Sequence, residues 1–289
     1  MNDVSPAPVA SVAASVPAGA AAAYPAPRVA PHALHAFGGV WRLTVRRFFS
    51  LRHWGVIAGL LVLLALVALG STSRGAVGTE RFAGWAAGFY ACLLVPVLAF
   101  VSAAGALRDD FKADAVDYVF TRPVPRWRHV VYRYFAHTAC AQLEFLLALG
   151  VVAGVGLHRG VPGLGGIIAT LLLGQVLAVA VFSAFGFLCA AITARFVIVG
   201  LVYGSTIEAG LGNVPTQLGW LSLVRHLRAL LAKLLESDAA PARAAAALSD
   251  NLSPPAAIAW LLAGTVLLLA AAAAIFARRE FAGGAAREA

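Results

Sequence analysis

Long apolar runs of bilayer length alternate with short polar breaks along this chain. Residues 54–70, 82–107, 134–157, 167–194, 196–212 and 256–277 carry almost no charge, and about 20 such residues are enough to cross a hydrocarbon core about 30 Å thick. The pattern predicts six transmembrane helices. Two further segments are amphipathic at helical spacing. In the first, Phe37, Val40, Trp41, Thr44, Val45, Phe48 and Leu51 share one face and Arg42, Arg46, Ser50 and His53 the other, as in a basic helix lying in the membrane interface. In residues 217–236, Trp220, Leu223, Val224, Leu227, Leu230, Leu231 and Leu234 oppose Arg225, Arg228, Lys233 and Glu236. That charged stripe predicts an interfacial or re-entrant helix rather than a crossing. Pro96 predicts a kink within the second run, and Gly163, Gly165 and Gly166 read as turn residues.

The predicted fold is therefore an all-α membrane protein. Six transmembrane helices follow an N-terminal amphipathic interfacial helix, and an outer interfacial or re-entrant helix lies between helices 5 and 6. Residues 36–281 form one transmembrane domain. Residues 1–35 have prolines at 6, 8, 17, 25, 27 and 31, a density that blocks both helix and strand and predicts a disordered tail. Residues 282–289 form a short second tail.

Composition agrees with the periodicity: 61% of residues are hydrophobic and 12% charged, with a mean hydropathy of +0.84, against about 25% charged in soluble domains. Charge then sets the orientation. Of the 22 Lys and Arg residues, fifteen fall in segments on the side that holds both termini and seven on the other. The basic side faces the cytoplasm, so both termini are expected inside, in a multi-pass protein of the bacterial inner membrane. The net charge of +9 does not point to nucleic acid, because most of the positive residues flank apolar runs as topology signals. Cys92, Cys140 and Cys189 lie within apolar runs without a CxxC spacing and read as small core residues.

Catalytic chemistry finds little support. The chain has no phosphate-binding loop, HExxH, GxSxG or Cys/His cluster, and its seven histidines are scattered; no cofactor or metal is expected. Any ATP-driven work would use a nucleotide site on another chain. Glu144 and Glu208 are the acidic residues within the predicted crossings. An intramembrane carboxylate is a functional candidate by default, and a structural partner is the other reading. With Asn213, Arg225 and Arg228, these two form the candidate pathway or gate.

The densest charge lies between the second and third crossings, where Arg108, Lys112, Arg122, Arg126, Arg128 and Arg133 stand among Asp109, Asp110, Asp114 and Asp117. Each such charge would cost about 2.5–3.5 kcal/mol at a helix centre in the bilayer, so this island must face water. Asp110, Asp114 and Asp117 recur at helical spacing against Phe111, Ala115, Tyr118 and Val119, which predicts a short amphipathic helix. Pro123 and Pro125 end it, and Arg126, Trp127, Arg128 and His129 lead into the third crossing. A rigid surface helix joining two membrane helices can transmit a push from a soluble partner.

These motifs carry a resemblance. The acidic segment leads into ThrArgProValProArgTrp at 121–127, similar to the "tRPvsRw" element that follows the second crossing in the membrane subunit of ABC-2 type ABC transporters. That family commonly has Glu-x-Gly-Thr where this chain has Asp114, Ala115, Val116 and Asp117. GluAlaGlyLeuGlyAsnValPro at 208–215, SerLeuValArgHisLeuArg at 222–228 and ArgArgGluPhe at 278–281 resemble further family elements, so the likeness covers about residues 37–281. It implies a permease subunit driven by a separate ABC ATPase, paired with a second copy or a paralogous permease, and more often exporting than importing. It also implies a coupling segment of Asp109, Asp110, Phe111, Asp114, Asp117, Tyr118, Arg122, Pro123, Arg126 and Trp127. A membrane-anchored scaffold and a membrane-integral enzyme are the alternative readings.

Overall fold

The computed structural model describes residues 33–72, 78–111, 124–213, 217–235 and 252–278. The expected first tail lies outside these residues except for 33–35, which open a helix, and the expected second tail lies wholly outside them. So does the acidic half of the island, with Asp114, Asp117, Tyr118, Arg122 and Pro123. Every element among the described residues is helical. Among the described residues, five helices have the length and apolarity to cross a membrane: α2 (Leu51–Ser71), α3 (Thr79–Asp109), α4 (Arg126–His158), α5 (Leu164–Ile192) and, last of these, α8 (Pro254–Arg278). Three shorter helices accompany them: α1 (Ala33–Phe48), α6 (Phe196–Glu208) and α7 (Leu223–Leu234). The protein is a multi-pass membrane protein in its helical make-up.

The observed boundaries show which residues stop each helix. Ser50 separates α1 from α2, its hydroxyl accepting from the His53 amide at 3.4 Å, as an N-cap should. Pro96 does not break α3. The helix widens into a π-helical stretch over Ala86–Leu94, and the Val95 amide reaches back to the Tyr90 carbonyl, which moves the hydrogen-bond register ahead of the residue that lacks a donor. Between α4 and α5 the chain turns through Gly160 and Gly163, at φ of 64° and 69°, a region where a Cβ is strained.

The expected fifth crossing is short. At 13 residues, α6 spans about 20 Å, well under the hydrocarbon thickness, because its last turn is π-helical over Gly204–Glu208 and gives way to a 3-10 turn at Leu211–Asn213. The expected outer helix is likewise shorter than its periodicity. Residues Gln217–Leu221 form a 3-10 turn, and Ser222 then caps α7 by accepting from the Arg225 amide at 3.0 Å. Its apolar face, with Val224, Leu227, Leu230 and Leu231 buried, packs onto α5 and α8 instead of lying open to lipid.

α5 is the axis of the bundle, in contact with α3, α4, α7 and α8. It has no polar face: its buried residues include Leu171, Gln175, Phe182, Phe187, Ala190 and Ala191, and its exposed Leu172, Leu173, Val176 and Ile192 are apolar as well. Its approach to α3 relies on small side chains, since apolar helices in lipid associate through close packing rather than through a hydrophobic driving force. A Cβ on Gly186 would stand 2.5 Å from the Phe100 carbonyl oxygen and 3.1 Å from the Ala104 nitrogen, both backbone atoms that cannot step aside. Gly186→Leu is therefore expected to separate α3 from α5 and to cost about 1–3 kcal/mol, read as a lower melting temperature in detergent. One polar cluster within this core is matched: the Tyr90 hydroxyl donates to Gln175 Oε1 at 2.5 Å and lies 3.0 Å from the Phe145 carbonyl, and Gln175 Nε2 donates to Gln142 Oε1 at 3.4 Å.

Candidate functional site

α4 is 33 residues long, about 50 Å, so it overshoots a hydrocarbon core of about 30 Å by several turns. The overshoot bears the charge. Arg126, Trp127 and Arg128 are exposed on the first turn, with the Arg128 guanidinium 5.2 Å over the Trp127 ring. His129 and Arg133 turn inward and are buried.

They turn toward Asp110, which is only 3% exposed. Its Oδ1 accepts from Arg47 Nη1 at 3.3 Å, and its Oδ2 meets His129 Nε2 at 3.2 Å. Arg133 Nε stands 3.2 Å from the same Oδ2 but off the line of a hydrogen bond, so that contact is ionic. The rest of the Arg133 fork is engaged elsewhere: Nη1 donates to Thr44 Oγ1 at 2.5 Å and Nη2 to the Ala106 carbonyl at 3.2 Å. One carboxylate thus ties α1, the end of α3 and the start of α4 together. Aromatic contacts add α8, because Phe111 and His129 both lie against Phe276, at ring separations of 5.4 and 6.3 Å. Burial alone would raise the Asp110 carboxyl. The His129 hydrogen bond and the charges of Arg133, His129 and Arg47 outweigh burial and hold it below the usual aspartate value.

The candidate pathway residues fall in two separate places. Glu144 pairs with His53 of α2 through a hydrogen bond, and both line a groove of about 270 Å³ between α2, α3 and α4. The pair answers the cost of a carboxyl at that depth with a partner on another helix. Glu208 is elsewhere. It accepts from the Tyr203 hydroxyl at 2.7 Å, from the Leu223 and Val224 amides at 3.0 and 3.1 Å, and from the Ser222 hydroxyl. It therefore caps the N-terminus of α7 from the end of α6, and so holds together the two short helices that follow α5. Arg228 does not lie on an outward charged stripe with Arg225. It lines a cavity beside Cys92, Glu208 and Tyr203, whereas Arg225 extends over Gly219. Asn213 closes the 3-10 turn after α6.

Reading the sequence does not single out Arg47, His53, His129 and Arg133 as site residues, although a signal for some of them is there. Arg133, His137, Cys140 and Glu144 recur at i, i+4, i+7 and i+11 along an otherwise apolar helix, and a polar stripe of that kind needs partners on neighbouring helices. Which helices supply them is not encoded locally. No protein-family model matches this sequence, and no curated protein is significantly similar to it.

Proposed function

We propose that this chain is the permease subunit of an ATP-driven transporter of the ABC-2 type. It sits in the bacterial inner membrane with six crossings and both termini inside, and it is energised by a separate ATPase. α6 would supply the shallow fifth crossing, with α7 folded over it at the outer face. The observation that carries the reading is the Asp110 joint. The charged segment of residues 112–123 is rooted in two membrane-length helices, and its first root is locked by Arg47, His129 and Arg133 to α1 and α4. A load on that segment would pass into three helices at once instead of being lost in a loose loop.

Trp127 supports the same face. It is 48% exposed on the part of α4 that the proposed orientation puts in the cytoplasm, where no lipid covers it. Asp110 is committed to its own chain, so the charges offered to a partner would be those of residues 112–123 together with Arg126 and Arg128. Exposed ion pairs contribute about 0–1 kcal/mol each, and aromatic docking at Trp127 is expected to contribute more. The substrate would cross at the contact with a second permease copy or a paralogue.

The test is affinity purification of the tagged chain from its native membranes, followed by ATPase assay and mass spectrometry. A co-purifying ATPase with a phosphate-binding loop, lost with Trp127→Ala and weakened by reversing Asp114 and Asp117 to Lys, is the expected result. A stable partner without nucleotide chemistry would favour the scaffold. A partner ATPase indifferent to all three substitutions would remove the coupling role from this segment.

A further inference from the structure

The apolar residues of α1 divide between two directions, and the bundle uses only one of them. Phe37 lies edge-on to Tyr132 of α4 at a ring separation of 5.5 Å, Thr44 holds Arg133, and both Thr44 and Phe48 are buried. On the adjoining flank, Leu34, Trp41 and Val45 stand at i, i+7 and i+11, which at about 100° per residue is one row, and Phe49 continues it past the end of the helix. Leu34 is 72% exposed, Phe49 60% and, at the start of α2, Leu51 91%. The periodicity of the sequence joined Trp41 and Val45 to Phe37, Thr44 and Phe48 as a single face; docking on α4 takes part of that face and leaves the rest outside. An open apolar row of this kind marks a contact surface.

Charge says what it contacts. Arg42 and Arg46, at i and i+4, edge the row, and Arg52 follows on the first turn of α2; all three are exposed, and none enters an ion pair among the described residues. The sequence has no Asp or Glu from residue 4 to residue 79. Among the described residues the acids at this end of the bundle are Asp109 and Asp110, and Asp110 is taken by Arg47, His129 and Arg133. The sign of the corner is therefore positive without counting Arg47. Its depth follows from the chain, because only Phe49 and Ser50 separate α1 from the membrane-length α2, so the corner stands where the chain enters hydrocarbon.

We propose that α1 and the α1 to α2 corner bind anionic phospholipids, with Leu34, Trp41 and Phe49 among the upper acyl chains and Arg42, Arg46 and Arg52 on the head groups. An arginine beside an anionic leaflet strengthens binding about fivefold, and apolar insertion combined with basic charge is what holds an amphipathic helix at such a surface. α1 is then held by α4 on one side and by the leaflet on the other. The inference needs α2 as a crossing and does not rest on the permease reading.

Trp41 reports on this face directly. The full chain is placed in nanodiscs of equal phosphatidylglycerol and phosphatidylcholine with bromine on one lipid or the other, and the Trp41 signal is taken as the difference between wild type and Trp41→Phe. Brominated phosphatidylglycerol is expected to quench Trp41 at least twofold more than brominated phosphatidylcholine. Arg42→Gln, Arg46→Gln and Arg52→Gln together should abolish that excess, and Lys at the same three positions should keep it. All three side chains are exposed, so both triple variants should melt in detergent as wild type does.

Equal quenching by the two lipids, an excess that survives the Gln variant, or one lost with Lys as completely as with Gln would each overturn the proposal. So would a Trp41 that neither lipid quenches, and disulfide cross-linking of Leu34→Cys chains would in that case assign the face to a second copy. Quenching is measured without any ATPase, so its failure leaves the permease reading intact, and the absence of a partner ATPase leaves the lipid contact intact.

Discussion

Asp110→Asn is expected to destabilise the protein by about 3–5 kcal/mol, the usual result of leaving a buried cation without its counter-charge. Arg133 is as buried as Asp110, at 3% exposure, and keeps its charge when the carboxylate is neutralised. The variant should lose the docking of α1 first, because Arg47 and Thr44 on that helix connect to the bundle through Asp110 and Arg133. Removing both charges together, Asp110→Asn with Arg133→Met, should recover much of the loss, since an ion pair replaced by apolar volume is often close to neutral. Melting of the detergent-solubilised protein, followed by tryptophan fluorescence, distinguishes these outcomes. Equal losses in the single and double variants would mean that Asp110 acts through packing and not through charge.

The same carboxylate gives a pH signature. Arg47, His129 and Arg133 face it and Asp109 precedes it, and its pKa in the folded protein lies below the ordinary value of 3.8. Its contribution is fully present above that value, where folded and unfolded chains are both ionised. As pH falls, the unfolded carboxyl takes up its proton first, and the contribution is lost as pH drops through the folded-state value. The melting temperatures of wild type and Asp110→Asn should therefore stay well separated at neutral pH and converge below about pH 4.

Glu208→Ala is the second substitution with a large expected effect, about 3 kcal/mol. Hydrogen bonds to a charged group contribute about 1.5–3 kcal/mol each and are not additive, and loss of a helix cap alone costs about 1 kcal/mol. The carboxylate accepts from the Leu223 and Val224 amides, the Ser222 hydroxyl and the Tyr203 hydroxyl, so its removal should fray the start of α7 and release it from α6. Limited proteolysis should show new cleavage near residues 217–223 while α3, α4 and α5 stay protected. Glu208→Gln keeps an acceptor oxygen and should restore about half of the stability. If Glu208→Ala melts like wild type and shows no new cleavage, the α6 to α7 link is held by packing alone.

The periodicity of the chain located the membrane-length helices well. Expected runs at 82–107, 134–157 and 167–194 lie within or close to α3, α4 and α5, because twenty uncharged residues leave few alternatives in a bilayer. Periodicity failed where local geometry depends on a neighbour. Residues 196–212 are apolar enough to suggest a full crossing, yet α6 stops at Glu208, because that side chain is drawn into capping α7. Arg228 shares a sequence stripe with Arg225, and only the packing of α7 against the bundle turns it toward a cavity. Asp110 reads as one more acid in a solvated island until α1 and α4 close over it.

By itself the sequence determined that the chain is helical, that it enters the bilayer repeatedly and that its charge is concentrated between the second and third long runs; these follow from the free energy of apolar and charged residues in hydrocarbon, which each segment carries alone. Only the tertiary structure decided which of those charges are buried, which helix caps which, and where a cavity remains. Such properties arise between segments far apart in the chain, where a carboxylate takes its environment from helices that its own neighbours do not specify.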